Sequence, residues 1–337
     1  MYKVVSFVLL LSIILALPAQ GAEVNVYSAR KEALIKPVLD KFSAQTGIKV
    51  NLITGNADAL ISRIDSEGKF SPADLLVSTD VGRLQRAKSQ QLLQSVGSDV
   101  LSAQVPARLR DSDNQWFALT KRARTIMYAK HRVSADELKD IEDLTAQKWQ
   151  GRICIRSSSN IYNQSMVAAL IEQLGEQQTL EWAKGLVKNF ARKPKGGDRD
   201  QIKALASGQC DIAIANTYYL VGMLSDSDPA QVEAAEKVAV FWPNQENRGV
   251  HINISGAGIA RHAPNKDAAR ALLEFMLTEE SQAWYAEHNG EYPVREGVEH
   301  SAMLKHFGDF KAESIPLQRV GELNSAALVL MDKAGWK

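Results

Sequence analysis

Three tyrosines in polar surroundings have the clearest potential for chemistry in this sequence: Tyr162, Tyr218 and Tyr219. A phenol has an unperturbed pKa of about 10, but a bound cation can deprotonate a ligand, so clustered tyrosines can supply anionic oxygens. Tyr218 and Tyr219 are adjacent, and consecutive side chains on a strand point to opposite faces, so both serve one site only if the backbone turns there. The alternative is an amphipathic pair packed at a domain surface with solvated hydroxyl groups.

The flanking sequence favours such a turn. Residues 210–215 (CDIAIA) have the pattern of a strand, and an apolar stretch follows the tyrosine pair. A strand-to-helix loop is therefore predicted at the pair. Tyr162 lies in a similarly polar segment, residues 157–164 (SSSNIYNQ). The elements around these segments decide whether the three side chains meet.

The first 21 residues have the pattern of a secretory signal peptide. A short basic start (1–3) precedes an apolar run (4–17) and small residues at 19–21, where a signal peptidase cleaves. The run is shorter than the ~20 residues that span a bilayer, and no cysteine follows it for a lipid anchor. We expect cleavage near Gly21 or Ala22 and a periplasmic mature protein, an uncleaved anchor being the alternative.

Composition and cysteine usage narrow the class of protein. With 45% hydrophobic residues, 23% charged residues and a net charge of +1, the chain is typical of a globular protein and lacks the basic balance of a nucleic-acid binder.

Cys154 and Cys210 are the two cysteines. In an oxidising compartment they predict a disulfide, the alternative being two buried thiols. A metal site built on these thiols alone would be incomplete.

Strand and helix patterns alternate in the first part of the chain. Strands are predicted at 24–27, 48–53 and 73–78, and helices at 35–46, 56–67 and 82–90. This alternation indicates a parallel sheet with right-handed crossovers. Ligands of such sheets bind beyond the carboxyl ends of the strands, which here carry residues 28–30 (SAR), 54–56 (TGN) and 78–80 (STD).

A second α/β half spans residues 137–241, and two extended stretches, 116–129 and 250–260, connect the halves. Helices at 267–277 and 280–288 should pack back on the first half. We therefore predict an α/β, two-lobed periplasmic-binding-protein fold of type II, with hinged lobes, parallel-rich sheets and a cleft between them. The first lobe comprises 22–120 and 255–310, the second comprises 121–254, and a helical segment, 311–337, braces the pair.

This architecture is that of solute-binding proteins that feed ABC importers, and eight segments resemble the ferric-ion-binding proteins of bacterial iron importers. They are 26–30 (VYSAR), 45–50 (QTGIKV), 72–75 (PADL), 121–126 (KRARTI), 156–165 (RSSSNIYNQS), 197–202 (GDRDQI), 216–219 (NTYY) and 291–294 (EYPV). The resemblance implies a monomeric, non-enzymatic protein that delivers Fe(III) to an inner-membrane permease and its ATPase.

The resemblance also implies the ligands. Tyr162, Tyr218 and Tyr219 match the family's iron-binding tyrosines, and a hard, trivalent ion prefers anionic oxygen donors. Three phenolates balance its charge but leave coordination positions open. Some members fill these from the first lobe with a His-Tyr pair or a Glu, but here the matching stretches are residues 30–32 (RKE) and 78–80 (STD).

These departures resemble the members that use a synergistic anion, commonly carbonate, held by arginine. Arg30 is the first candidate and Arg124 the second, because a guanidinium fork matches a planar oxyanion. Glu32 and Asp80 remain candidates for direct ligation, although Asp80 also suits the cap of the following helix. Tyr27, inside the first strand, is expected to be a core or hinge residue rather than a ligand.

Two other functions compete with iron binding. A solute-binding protein of the same fold could take an oxyanion or a small organic ligand such as a polyamine or thiamine, but an oxyanion site leaves the tyrosine pair unexplained. A secreted enzyme is the rival from another class, yet no GxSxG, HExxH or paired carboxylate motif is present. Phenolate-to-Fe(III) colour would distinguish iron binding from both.

Overall fold

The structure is a computed structural model that describes residues 22–337, so the predicted signal peptide lies outside the described residues. The strands are β1 (Glu23–Ser28), β2 (Lys49–Thr54), β3 (Leu75–Thr79), β4 (Phe117–Ala129), β5 (Ile153–Cys154), β6 (Ile212–Asn216), β7 (Val238–Phe241), β8 (Ile252–Ile259) and β9 (Tyr292–Pro293). The α-helices are α1 (Lys36–Thr46), α2 (Ala57–Glu67), α3 (Val81–Ser89), α4 (Asp99–Gln104), α5 (Ile161–Leu174), α6 (Glu176–Lys188), α7 (Asp198–Ala206), α8 (Thr217–Leu224), α9 (Pro229–Glu236), α10 (Lys266–Phe275), α11 (Glu279–Asn289), α12 (Ala302–His306), α13 (Leu317–Glu322) and α14 (Asn324–Lys333).

The strands form a mixed sheet in the order β2-β1-β3-β8-β4-β6-β5, with β7 and β9 also paired to β4. In the first lobe, β1 is parallel to both β2 and β3, as the strand–helix alternation predicts. In the second lobe, β5 is parallel to β6. The two connecting strands, β4 and β8, run antiparallel to each other. The two-lobed α/β fold predicted from the sequence is confirmed.

Strand β4 belongs to both lobes. Its first half pairs with β8, and from Arg124 onward it pairs with β6 of the second lobe. The lobe boundaries predicted from the sequence, at 120/121 and 254/255, fall inside β4 and β8. All eight residues of β8 are buried, because strands covered on both faces exclude water from both sets of side chains.

Helix α1 shows how the sequence sets an element's limits. Val38, Leu39 and Phe42 are its buried residues and form the stripe that faces the first-lobe core. The helix ends at Gly47, whose φ of 74° is a left-handed conformation that glycine adopts without strain. On strand β1, Tyr27 is fully buried and its hydroxyl donates to Glu67. This burial confirms the expected core role.

The C-terminal segment touches both lobes. Helix α13 packs against α3 of the first lobe and α5 of the second. Trp336 is fully buried, and its indole N–H donates to the carbonyl of Arg156 at 2.9 Å. Within residues 22–337, every helix falls short of the length and apolar character needed to cross a membrane.

Candidate metal centre

The three tyrosines stand at the N-terminal ends of two second-lobe helices. Strand β6 ends at Asn216 and α8 begins at Thr217, so Tyr218 and Tyr219 occupy the first turn of α8. The predicted strand-to-helix turn is confirmed, and the helix separates adjacent side chains by about 100° rather than 180°. Their ring centroids lie 4.3 Å apart. Tyr162 lies in the first turn of α5, which Asn160 caps by accepting from the amide of Asn163.

The tyrosines line a cleft of about 330 Å³ between the lobes. From the first lobe and the connecting strands it is lined by Ala29, Arg30, Lys31, Leu34, Thr79, Arg122, Glu287, His288, Asn289 and Glu291, and from the second lobe by Tyr162, Arg199, Tyr218, Tyr219, Val221, Gly222 and Ser225. Four of these side chains are Arg or Lys and two are carboxylates. Before any ligand binds, the cleft therefore carries an excess of positive charge.

Arg122 of β4 lies close to both Tyr162 and Tyr218. Its guanidinium carbon lies 4.9 Å from the ring centroid of Tyr218 and 5.8 Å from that of Tyr162. Its Nη1 lies 3.5 Å from the Tyr218 hydroxyl oxygen. Burial alone would lower the pKa of this guanidinium, but Glu291 and the tyrosines raise it, so the charge is fixed.

Glu291 joins Arg122 to Arg30. One carboxylate oxygen accepts from Arg122 at 2.8 Å, and the other accepts from Arg30 at 2.9 Å and from Thr120 at 2.6 Å. Burial opposes the charge of Glu291, yet the two guanidinium groups lower its pKa below the ordinary value. Ser255 also accepts a hydrogen bond from each arginine. This network fixes both guanidinium groups at the floor of the cleft.

Arg30 keeps part of its hydrogen-bonding capacity. Its Nη1 donates to Ser255 at 2.6 Å and to Glu291 at 2.9 Å. Its Nε is buried without a partner among the described residues, and its Nη2 makes no hydrogen bond within residues 22–337. The Nε–Nη2 edge of an arginine can donate two parallel hydrogen bonds to an oxyanion, which is a bidentate contact.

The phenols differ in how readily they ionise. Burial raises the pKa of Tyr162, but the charge of Arg122 and hydrogen bonds with Tyr218 and Thr79 outweigh it, so its pKa is lower than 10.0. Burial and the neighbouring Tyr162 raise the pKa of Tyr218 well above that value. The same two causes raise the pKa of Tyr219 to about 12. Tyr162 is therefore the easiest of the three phenols to ionise, and ionisation of Tyr218 and Tyr219 requires added positive charge.

The candidate first-lobe ligands lie outside the cleft lining. Asp80 is fully buried and caps α3 by accepting from the amide of Gly82 at 2.8 Å, as predicted for a helix cap. It also accepts from Ser165 at 2.7 Å and Asn253 at 2.8 Å. Glu32 is exposed. Thr79, immediately before Asp80, does line the cleft.

Arg124, the second candidate for anion binding, also lies apart from the cleft. Its side chain is buried, with Nη1 bonded to Asp198 at 2.9 Å. Its Nε donates to Asn163 and its Nη2 to the carbonyl of Ile214. All three guanidinium nitrogens are thus engaged, which does not favour the predicted role.

Arg122 and Glu291 were not singled out by the sequence analysis, although both lie in segments that carry the family resemblance. Alternation along a strand places Arg122 and Arg124 on the same face, so choosing between them requires knowing where along β4 the cleft opens. Among residues 22–337, no group of three His, Cys, Asp or Glu side chains could hold a metal ion. Tyr162, Tyr218 and Tyr219 remain the predicted metal ligands.

The predicted disulfide is confirmed. Cys154 ends β5 and Cys210 precedes β6, with their Cα atoms 5.8 Å apart. The chain continues from Cys154 to Tyr162 and from Cys210 to Tyr218 and Tyr219. The bond therefore ties together the starting points of both tyrosine segments.

Comparison with known proteins agrees with this architecture. Residues 38–312 match the family of bacterial extracellular solute-binding proteins. The chain is 48% identical to iron uptake protein A1 of Synechocystis, over 95% of this chain and 89% of that protein. It is 26% identical to the major ferric iron-binding protein of Neisseria meningitidis, over 99% of both chains.

A solved structure of the Trichodesmium protein (IdiA, FutA) in complex with iron and citrate superposes with a TM-score of 0.92. The two are 48% identical, with 94% of this chain and all (100%) of that chain covered. The chain thus belongs to the bacterial extracellular solute-binding protein family and is similar to ferric-ion-binding members of it.

Proposed function

We propose that this protein binds Fe(III) in the periplasm and delivers it to the permease and ATPase of an ABC importer. Tyr162, Tyr218 and Tyr219 are the metal ligands, and an anion, carbonate in the first instance, completes the coordination. The observation that carries the proposal is the convergence of three phenols, with no carboxylate or histidine cluster in residues 22–337, on one cationic cleft. The similarity to iron-binding relatives supports the same assignment.

The charge arrangement explains a preference for a trivalent ion. The charge of Arg122 makes Tyr162 easier to ionise than an ordinary tyrosine, while Tyr218 and Tyr219 resist ionisation until a cation compensates their charge. A trivalent ion matches three phenolates, whereas a divalent ion would leave a net negative charge next to Tyr218. Hard anionic oxygens also suit a hard ion. The site therefore selects by charge as well as by donor type.

The balance of charges in the loaded cleft also requires an anion. Fe(III) with three phenolates is neutral, so the excess positive charge of the cleft lining remains uncompensated. Arg30 presents its Nε–Nη2 edge without a protein partner. Carbonate matches that edge and can also coordinate iron, which links the metal on the second lobe to the first. The citrate in the Trichodesmium complex belongs to the same chemical class of ligand.

An anion that contacts both lobes would couple iron binding to closure of the hinge between them. With the lobe boundaries at 120/121 and 254/255, the tyrosines lie on the second lobe and Arg30 on the first. An anion that contacts both lobes binds the closed state better than the open one, and only such a difference can shift the equilibrium.

Iron titration tests the proposed function. Adding Fe(III) as a weak chelate to the iron-free protein should produce a visible phenolate-to-iron band and release about three protons, one from each phenol. Saturation at one iron per chain without the band would contradict the tyrosine site. Tight binding of an oxyanion with no response to iron would favour the alternative, a binding protein for an oxyanion or small organic ligand.

Arg30 should govern the dependence on bicarbonate. Arg30→Ala is expected to weaken iron binding and to make it insensitive to added bicarbonate, while wild-type affinity rises with bicarbonate. Arg30→Lys should restore the charge but not the two-pronged contact. Chelator competition with and without bicarbonate measures both effects. An unchanged bicarbonate response in Arg30→Ala would remove Arg30 from anion binding and leave Lys31, Arg122 and Arg199 as the other cations of the cleft lining.

A further inference from the structure

A second cationic cavity lies behind the connecting strands and takes no part in the proposed iron site. It has a volume of about 410 Å³, within the range of roughly 300–1,000 Å³ typical of small-molecule sites. It is lined by Arg108, Lys121, Ile252, Tyr292, His300, Gly308, Asp309, Phe310 and Ala312.

Strand geometry separates this cavity from the iron cleft. Lys121 pairs with Tyr292 across the β4–β9 ladder, so their side chains lie on one face of the sheet at close distance. The neighbours Thr120 and Arg122 both donate to Glu291, and alternation along a strand places these side chains on the opposite face. The two cavities therefore lie back to back across β4 and β9.

The polar groups of the cavity lack partners. The Nη1 of Arg108 and the hydroxyl of Tyr292 are buried without hydrogen bonds among the described residues. The ammonium group of Lys121 forms no ion pair within residues 22–337. Burial and the nearby Arg108 lower the pKa of Lys121 to about 8. Buried donors without acceptors are costly, and an anion would satisfy several of them at once.

The surrounding charges favour an anion rather than a cation. Arg108 and Lys121 are the cations of the lining. The ring of His300, whose pKa is lowered by burial and by Lys121, packs on Tyr292 with centroids 5.1 Å apart. Asp309 lines the rim and is exposed. Glu296, which is also exposed, acts on Lys121 only through its charge. Tyr292 and Phe310 supply aromatic walls, with ring centroids 5.1 Å apart.

We propose that this cavity is a second anion site, which takes a small multivalent oxyanion through Lys121, Arg108 and the Tyr292 hydroxyl. Inorganic phosphate and organic polycarboxylates share this chemistry. The inference does not depend on the identity of the metal in the cleft. An anion bound here neutralises Lys121 directly behind the Arg122–Glu291 pair, so it stabilises the strand pair that carries the floor of the iron site.

Calorimetric titration of phosphate and, separately, of citrate into the iron-free protein tests this site. The cleft is itself cationic, so wild type is compared with Lys121→Met, which removes the ammonium group and keeps most of the side-chain length, and with Arg30→Ala, a change at a residue that lines the cleft and not the second cavity. We expect at least one of the two anions to bind Arg30→Ala as in wild type and Lys121→Met at least about tenfold more weakly. Binding of phosphate would identify the ligand as an inorganic oxyanion, and binding of citrate would identify it as an organic polycarboxylate.

Two results would overturn the proposal. One is anion binding that Lys121→Met leaves unchanged, and the other is binding in wild type that Arg30→Ala abolishes completely. Arg108→Gln is a second variant on another element and should show the same tenfold loss if Lys121→Met does not fold. Circular dichroism of each variant establishes folding before titration.

Discussion

Replacing Tyr218 with Phe is expected to weaken Fe(III) binding by at least about 100-fold and to bleach or shift the visible band. Loss of an outer-shell partner alone costs about 10- to 100-fold in metal affinity, and this change removes a ligand oxygen. The ring stays packed on Tyr219, with centroids 4.3 Å apart in the wild type, so the fold should be kept. Chelator competition and visible absorption measure the two effects.

The matched control is Tyr27→Phe. Tyr27 lies in the first-lobe core, and its hydroxyl bonds to Glu67 rather than facing the cleft. The Tyr27→Phe variant should keep the colour and the iron affinity of the wild type. Tyr219→Phe is expected to behave like Tyr218→Phe. Wild-type colour and affinity in both cleft variants would show that the proposed ligands are wrong.

Removing the disulfide should lower the free energy of unfolding by about 4 kcal/mol at 25 °C. The cysteines are 56 residues apart, and closing a loop of this length restricts the unfolded chain by about that amount in the chain-entropy model. Both positions are buried, so Cys154→Ala with Cys210→Ala is preferable to serine, which would leave hydroxyl groups in the core. Urea unfolding of wild type, the double variant and reduced wild type measures the effect.

Reduction of the wild type provides the control, because it breaks the bond without removing atoms. The reduced protein and the double variant should unfold at similar urea concentrations, both below that of the oxidised wild type. Thiol counting by mass analysis of exported protein should find none free. A common unfolding midpoint in all three samples would mean that the bond contributes nothing to stability.

Arg124 shows why local sequence could not assign every site residue. Arg122 and Arg124 have the same residue type and lie on the same strand face, yet Arg122 approaches the tyrosines and Arg124 is bound by Asp198. Asp198 is far away in the chain, at the start of α7. Which arginine reaches the cleft depends on where β4 passes from one lobe to the other.

The sequence by itself determined the features that depend on local patterns. Periodicity located the first three strands and the three helices that follow them, the residues around Tyr218 predicted the turn that brings two phenols to one helix end, and the two cysteines predicted their bond. Those signals are carried by neighbouring residues, whose spacing matches the repeat of a strand or a helix.

Only the tertiary structure decided which charges share the cleft. Glu291 comes from β9's flank, Arg122 from β4 and Arg30 from the end of β1, and their contacts span as many as 261 positions in the chain. The same packing buried Asp80 against Ser165 and Asn253 and left the donors around Lys121 without partners. Charge interactions depend on distance and burial in space, which no spacing along the chain specifies.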